Sequence, residues 1–190
     1  MERHIRVVDN FLSAEQHSAI LRLFTDGSNP LPWYWMDSTS GEEGGETSVA
    51  YEYGFYHLAF HDGEVLSNSF QTIVPALDKA EVETLYRVRF GMQTNIGSSG
   101  HHGTHTDMQV PHTTLLYYIG ESDGDTVFFD DNGEVVFTNP HTTNQAVIFD
   151  GSILHASSPP MNYARRLTMN VNYQQQEKQW QSETVQPSGS

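Results

Sequence analysis

The chain has 190 residues, no cysteine, and 24 acidic against nine basic side chains, giving a net charge of −15. That length supports one domain with a sizeable core rather than two. The missing thiols exclude disulfides and thiolate metal sites, and the negative charge disfavours partners that carry a phosphate backbone. A neutral or basic partner such as a Lys/Arg-containing peptide suits the charge better, although solubility alone also accounts for it. No apolar run is long enough to span a bilayer, and Met1-Glu2-Arg3-His4 does not open a signal peptide, so a cytoplasmic setting is expected.

In chain order, Arg6-Val7-Val8 reads as a first strand. Ser13 and Gln16 fit a capping box, and the helix they start carries Ile20, Leu21, Leu23 and Phe24 and stops near Gly27. Pro30 and Pro32 precede an aromatic segment, Trp33-Tyr34-Trp35, and the Gly/Glu/Ser-rich stretch 37–47 reads as a mobile loop. From Val49 to Phe60 the pattern alternates, placing Tyr51, Tyr53, Phe55 and His57 on one face of a strand. Leu66, Phe70, Ile73 and Leu77 recur at helical spacing, interrupted by Pro75. A clear strand comes next, with Tyr86, Val88, Phe90 and Met92 on one side and Arg87, Arg89, Gly91 and Gln93 on the other. Further short strands are predicted at about 113–119, 126–130, 134–138, 145–149 and 166–173, with a hairpin signal at Asp131-Asn132-Gly133. The expected fold is mainly β with flanking helices (α+β): a double-sheet jelly roll, residues 1–173, backed by two N-terminal helices. The polar tail, 174–190, is expected to be loosely held.

The chemistry-bearing stretch runs from His105 to Arg166. Two histidines and one carboxylate, as a close pair (His105-Thr106-Asp107) plus a distant third (His155), suit the facial triad of non-haem Fe(II) oxygenases. Residues at i and i+2 of an extended strand share a face, so His105 and Asp107 can reach one metal. His-x-Asp alone is a weak signal in a chain with ten histidines. His101, His102 and His112 read as loop residues, and His57 reads equally as a pocket residue or a satisfied core histidine.

The residues beyond the pair add weight: Thr114-x-x-Tyr117-Tyr118, then Gly124-x-x-x-Phe128, then a hydrophobic strand ending Phe149-Asp150-Gly151, then His155 and Arg166. From about Phe90 to Tyr173 the sequence resembles the 2-oxoglutarate/Fe(II)-dependent dioxygenases of the prolyl 4-hydroxylase-like branch. The start, Val7-Val8-Asp9-Asn10-Phe11-Leu12, is similar to short phage-encoded members, which would place the protein in a host cytoplasm. The resemblance implies Fe(II) held by His105, Asp107 and His155, with 2-oxoglutarate and O2 as cosubstrates and ascorbate as a possible reductant. It implies hydroxylation of a C–H bond, a prolyl or other side chain of a protein or peptide being favoured. The same chemistry on a free amino acid or small metabolite, or an inactive metal-binding jelly-roll module, are the alternatives.

The resemblance also implies a basic residue gripping the distal carboxylate of 2-oxoglutarate. Alternation in the last strand puts Arg166 on the polar face with Thr168, Asn170 and Asn172, which selects it over Arg165. The gap from His155 is slightly longer than usual in the family, which leaves Arg165 open. By the same resemblance Tyr118 hydrogen-bonds the cosubstrate, and Asn95 stands where relatives carry another cosubstrate contact. With Asp107 present, hydroxylation is expected rather than halogenation, since halogenating relatives have a small residue there.

Overall fold

Alternation decides the architecture. In the strand Arg165–Gln175, Leu167, Met169, Val171 and Tyr173 turn into an apolar core, while Arg166, Thr168, Asn170 and Asn172 turn the other way. A strand with one apolar and one polar face needs helices or a second sheet on the first and a cavity on the second. The computed structural model, which describes residues 4–40 and 47–175, provides both.

The elements are β1 (Ile5–Val8), α1 (Ala14–Thr25), β2 (Tyr34–Met36), β3 (Gly54–His61), β4 (Glu64–Val65), α2 (Phe70–Lys79), β5 (Val82–Thr94), β6 (Thr113–Ile119), β7 (Thr126–Phe129), β8 (Val135–Asn139), β9 (Ala146–Asp150), β10 (His155–Ser157) and β11 (Arg165–Gln175). The large sheet runs β1-β9-β6-β11-β5-β3-β2, with β4 paired to β3, and the small sheet runs β10-β7-β8. Every pairing is antiparallel. This is the expected mainly β jelly roll with its two helices against one face.

Two apolar clusters hold the layers. Ile20 of α1 and Ile73 and Leu77 of α2 pack with Phe90, Tyr117, Met169 and Val171 on the outer face of the large sheet. Leu116, Tyr118, Phe128, Val147, Phe149 and Ile153 fill the space between the sheets. Each such side chain contributes roughly 1.5–3 kcal/mol by leaving water. The N-terminus of α1 is fixed as expected: Ser13 Oγ accepts from the Gln16 N–H at 3.3 Å, and Gln16 Oε1 accepts from the Ser13 N–H at 3.1 Å.

Two expectations change. The alternating stretch 49–60 is strand only from Gly54, and Tyr51 and Tyr53 precede it, held by ring contacts to each other and to Trp35. Aromatic stacking at a loop and strand alternation give the same sequence pattern. The last strand continues past 173, with Gln174 and Gln175 paired to Thr84 and Val82. The rest of the expected tail, 176–190, and residues 41–46 of the expected mobile loop lie outside the described residues. Among the described residues no helix is long and apolar enough to cross a membrane.

The return from β9 to β10 rests on Gly151, where a Cβ would collide with the buried His112 ring. Gly151→Ala is expected to lower stability by about 1–3 kcal/mol, the usual range for overpacking. A urea midpoint indistinguishable from the parent would show that the His112 ring can yield.

Candidate active site

His155 opens β10, beside β7, and His105 stands directly opposite it in a single antiparallel bridge. Each backbone N–H donates to the other residue's carbonyl at 3.0 Å, which brings the two imidazoles to 4.7 Å between ring centres. The expected extended strand over 105–107 is not formed. His105 is one bridge residue, and the chain bends at Asp107 instead of continuing. The bend is imposed by donors on three other strands, which draw the Asp107 carboxylate beneath the histidines.

The hydrogen bonds fix what the rings can do. His105 Nδ1 lies 3.1 Å from Gly103 O and His155 Nδ1 lies 3.0 Å from Ile153 O. A carbonyl oxygen can only accept, so both Nδ1 atoms carry a proton, which leaves Nε2 as the atom through which each ring, when neutral, can bind a metal. Burial, and then the neighbouring His155, push the His105 pKa down to about 4, keeping that ring neutral. One ligand atom from each of His105, Asp107 and His155 lies within 4.8 Å of the others, and His155 Nε2 is 3.8 Å from Asp107 Oδ2. Ligands bonded at about 2.1 Å and right angles stand about 3 Å apart. Small rotations therefore close this set around one divalent ion, which would also relieve the repulsion between facing lone pairs.

Asp107 is the most constrained of the three. Its side chain is 1% exposed and accepts from Arg87 Nη2 (3.2 Å), Asn170 Nδ2 (3.1 and 3.0 Å to its two oxygens), Asn172 Nδ2 (3.1 Å) and Thr114 Oγ1 (3.1 Å). Burial alone would raise its pKa, but its interactions with His155, Arg87, His105 and Arg89 hold it well below the usual carboxylate range. Asn172 is itself oriented, accepting from Arg87 Nε at 2.9 Å and donating to Thr114 at 3.1 Å.

One pocket reaches from these histidines to Arg166. Arg166 is 3% exposed and donates to Gly124 O (2.9 Å), Gln93 Oε1 (2.9 Å) and Thr126 Oγ1 (2.8 Å). Among the described residues no carboxylate lies within 4.0 Å of its nitrogens. Gly124 makes room for it, since a Cβ there would be 2.7 Å from Arg166 Cδ. Arg166 also sits over the Tyr118 ring, 5.6 Å from the ring centre, and the Tyr118 hydroxyl is 2.7 Å from Thr126 Oγ1.

The structure thus brings together His105, Asp107, His155, Arg166 and Tyr118. Arg165 is exposed at the start of β11. Asn95 is not brought in: its amide donates to Met161 O at 2.6 Å and its oxygen accepts from the Gly97 N–H at 2.8 Å, tying a loop together outside the pocket. His57 is a satisfied core histidine, 2.9 Å from Pro32 O and 2.7 Å from Ser67 Oγ. His101, His102 and His112 each turn Nδ1 to a backbone carbonyl away from the triad. The sequence reading missed Arg87, Gln93, Thr114 and Thr126 as partners of the site. For Arg87 and Gln93 the signal existed, because both lie on the polar face of their strand.

No family model matches the sequence, and no curated protein does. Solved structures do match by shape. A 2OG-Fe(II) oxygenase family oxidoreductase from Burkholderia pseudomallei overlays with a TM-score of 0.68 at 11% identity, covering 90% of this chain and 84% of its own. A Pseudomonas putida prolyl-4-hydroxylase gives 0.57 at 12% identity, covering 92% and 94%. A Trichoplax adhaerens prolyl hydroxylase, solved with a peptide fragment of the hypoxia inducible factor oxygen degradation domain, gives 0.56 at 13%, covering 89% and 82%. The fold is that of the 2-oxoglutarate/Fe(II) oxygenases. Within that fold, prolyl hydroxylases are among the structures this chain overlays along most of its length.

If the Asp107 carboxylate is held for a metal, Asn172→Ala should weaken Mn(II) binding by roughly 10–100-fold, the usual penalty for losing a group that orients a ligand. Titration followed by electron paramagnetic resonance reads this directly. Unchanged affinity would separate the hydrogen-bonded shell from metal binding.

Proposed function

We propose that the protein is an Fe(II)- and 2-oxoglutarate-dependent dioxygenase that hydroxylates a C–H bond. The observation that carries this reading is a pairing of two features in one pocket. The set of His105, Asp107 and His155 stands at one end, and at the other stands a buried guanidinium that meets no carboxylate among the described residues. In the reaction one atom of O2 goes to the C–H bond and the other to succinate, with CO2 released from 2-oxoglutarate. Ferrous iron held by His105, Asp107 and His155 would supply the activation of O2, and ascorbate would serve to keep it reduced.

The remaining work falls to side chains. Arg166 offers a fork to the distal carboxylate of 2-oxoglutarate, a geometry in which two charge-assisted bonds form together. Its bonds to Gly124, Gln93 and Thr126 hold that fork in place before any ligand arrives. Tyr118 and Thr126 add hydroxyls beside it. Leu116 and Ala156 line the pocket walls and limit water.

For the substrate, a prolyl or other side chain of a protein or peptide is the first reading. Two prolyl hydroxylases among the overlaid structures support it, one of them bound to a peptide. So does the exposed aromatic group Tyr34, Trp35 and Tyr51, continuous with the pocket through Met36 and Phe55. A free amino acid or small metabolite is the second reading, favoured by Arg89, which lines the pocket next to the metal site.

A screen of peptides and metabolites read as succinate release, then by a mass gain of one oxygen atom, tests the class. Asp107→Ala is expected to abolish product, with circular dichroism of the variant separating loss of the ligand from loss of the fold. Near-normal turnover by that variant would overturn the ligand assignment. Arg166→Ala should raise the 2-oxoglutarate concentration required by about 100-fold or more, since two charge-assisted bonds at about 1.5–3 kcal/mol each are lost. Arg165→Ala should leave it nearly unchanged, and a reversal of that order would move the cosubstrate site to the other face of β11.

A further inference from the structure

A buried guanidinium normally finds a carboxylate, because desolvating an unpaired charge costs several kcal/mol. Arg87 has Asp107, and Arg166 has three neutral acceptors and, in the dioxygenase reading, 2-oxoglutarate. Arg89 has neither. It lines the pocket, yet among the described residues no hydrogen bond or ion pair reaches its guanidinium. Arg89 is half-buried, and its partial removal from water lowers its pKa to about 10, Arg87 adding to the effect and Asp107 and Tyr56 partly opposing it at longer range, so it remains cationic near neutral pH.

Its level in the pocket comes from strand register. Arg166 is paired with Gln93, and Arg89 with Asn170, four residues further along both strands. At about 3.3 Å per residue the two arginines enter the pocket roughly 13 Å apart. Asn170 donates to both Asp107 oxygens, so Arg89 enters at the level of the triad, on the side facing β3. A diacid gripped at Arg166 and ending at the metal leaves this position open to another molecule.

Two more unpaired polar atoms border the same space. Asn170 must turn Nδ2 to Asp107, which leaves its buried Oδ1 without a donor, and the buried Thr39 hydroxyl has no partner, among the described residues. Both residues line the pocket with Arg89. A cation, an acceptor and a hydroxyl, each unpaired, describe a receptor for an anionic group with a hydrogen-bond donor beside it.

We infer that Arg89 binds a carboxylate of the primary substrate, setting its C–H bond beside the metal site, with Asn170 Oδ1 and Thr39 Oγ1 receiving an adjacent N–H or O–H. This deepens the dioxygenase reading and rests on it. The carboxylate can belong to a free amino acid or to a short peptide, and the chemistry at Arg89 is the same.

The test uses full-length protein loaded with Mn(II) and N-oxalylglycine, whose uptake is measured first. The probes are the L-amino acids, their carboxamides, and N-acetylated proline-containing tripeptides with free or amidated C-termini. Paramagnetic relaxation of probe protons by Mn(II) reports binding close to the metal without turnover. At least one free acid should bind there, its amide at least tenfold more weakly, and Arg89→Gln should erase the difference. Arg89→Lys, which keeps the charge but not the fork, should retain part of it and guards against a misfolded glutamine variant. The amino-acid and tripeptide arms identify the source of the carboxylate. The inference is overturned if no acid binds, if acids and amides bind alike, or if Arg89→Gln weakens N-oxalylglycine while acid binding persists. Failure of the parent to take up Mn(II) and N-oxalylglycine would instead overturn the dioxygenase reading.

Discussion

A carboxylate shut away from water is the constraint on which this architecture turns. Asp107 lies under the two histidines with its side chain almost fully covered, and four groups donate to it. Removing one partner of such a buried charge typically costs about 3–5 kcal/mol, so the donors must arrive together. Three of them form a single rung across the large sheet: Asn172 of β11 is paired with Arg87 of β5 on one side and Thr114 of β6 on the other. A slip of one residue in either pairing would turn a donor to the helix side and leave Asp107 unsatisfied. The geometry of the His105, Asp107 and His155 set and the register of the central three strands are therefore one requirement.

The neighbouring rungs of the same face each have a different task. Asn170 and Arg89 share the next, where Asn170 completes the Asp107 shell and Arg89 is left open. Thr168 and Gly91 share the one after, and the missing side chain at Gly91 keeps the passage free, since a Cβ there would meet Thr168 Oγ1 at 3.2 Å. Tyr118 is paired with Thr168 from the β6 side. Arg166 and Gln93 close the far end. A polar face on an antiparallel strand thus becomes a graded pocket, while the alternate residues hold the helices.

Much of this was legible in the sequence because it depends on local periodicity. The period-two pattern of β11 separated Arg166 from Arg165, and the pattern of β5 put Arg87, Arg89, Gly91 and Gln93 on one face. The capping box of α1 and the turn after β7 are local signals too, and the structure shows both. The missing parts depend on pairing between distant segments. No neighbour in sequence shows that Arg87 meets Asp107, or that Thr126 meets Arg166, because these contacts span 20 and 40 residues. His105 as an isolated bridge was hidden for the same reason, since the strand that would extend it gives way to the pull on Asp107. Asn95 was assigned by resemblance alone, and its side chain serves a local loop instead.

Net charge misleads when it is used to guess what enters the pocket. The chain carries −15, which favours cationic or neutral partners at long range. Screening confines that field to about 8–10 Å in physiological salt, whereas the pocket interior is sheltered from it. Arg89 and Arg166 line the pocket, and Arg87 stands on the same face of the sheet, three of only nine basic residues in the protein. Asp107 compensates for one of them, and a divalent ion would add two positive charges more. In the proposed reading, a doubly charged keto-diacid would not neutralise that sum, so the cavity would stay attractive to a further anion. The surface then acts on how a partner approaches, and the inner rungs decide which part of it stays.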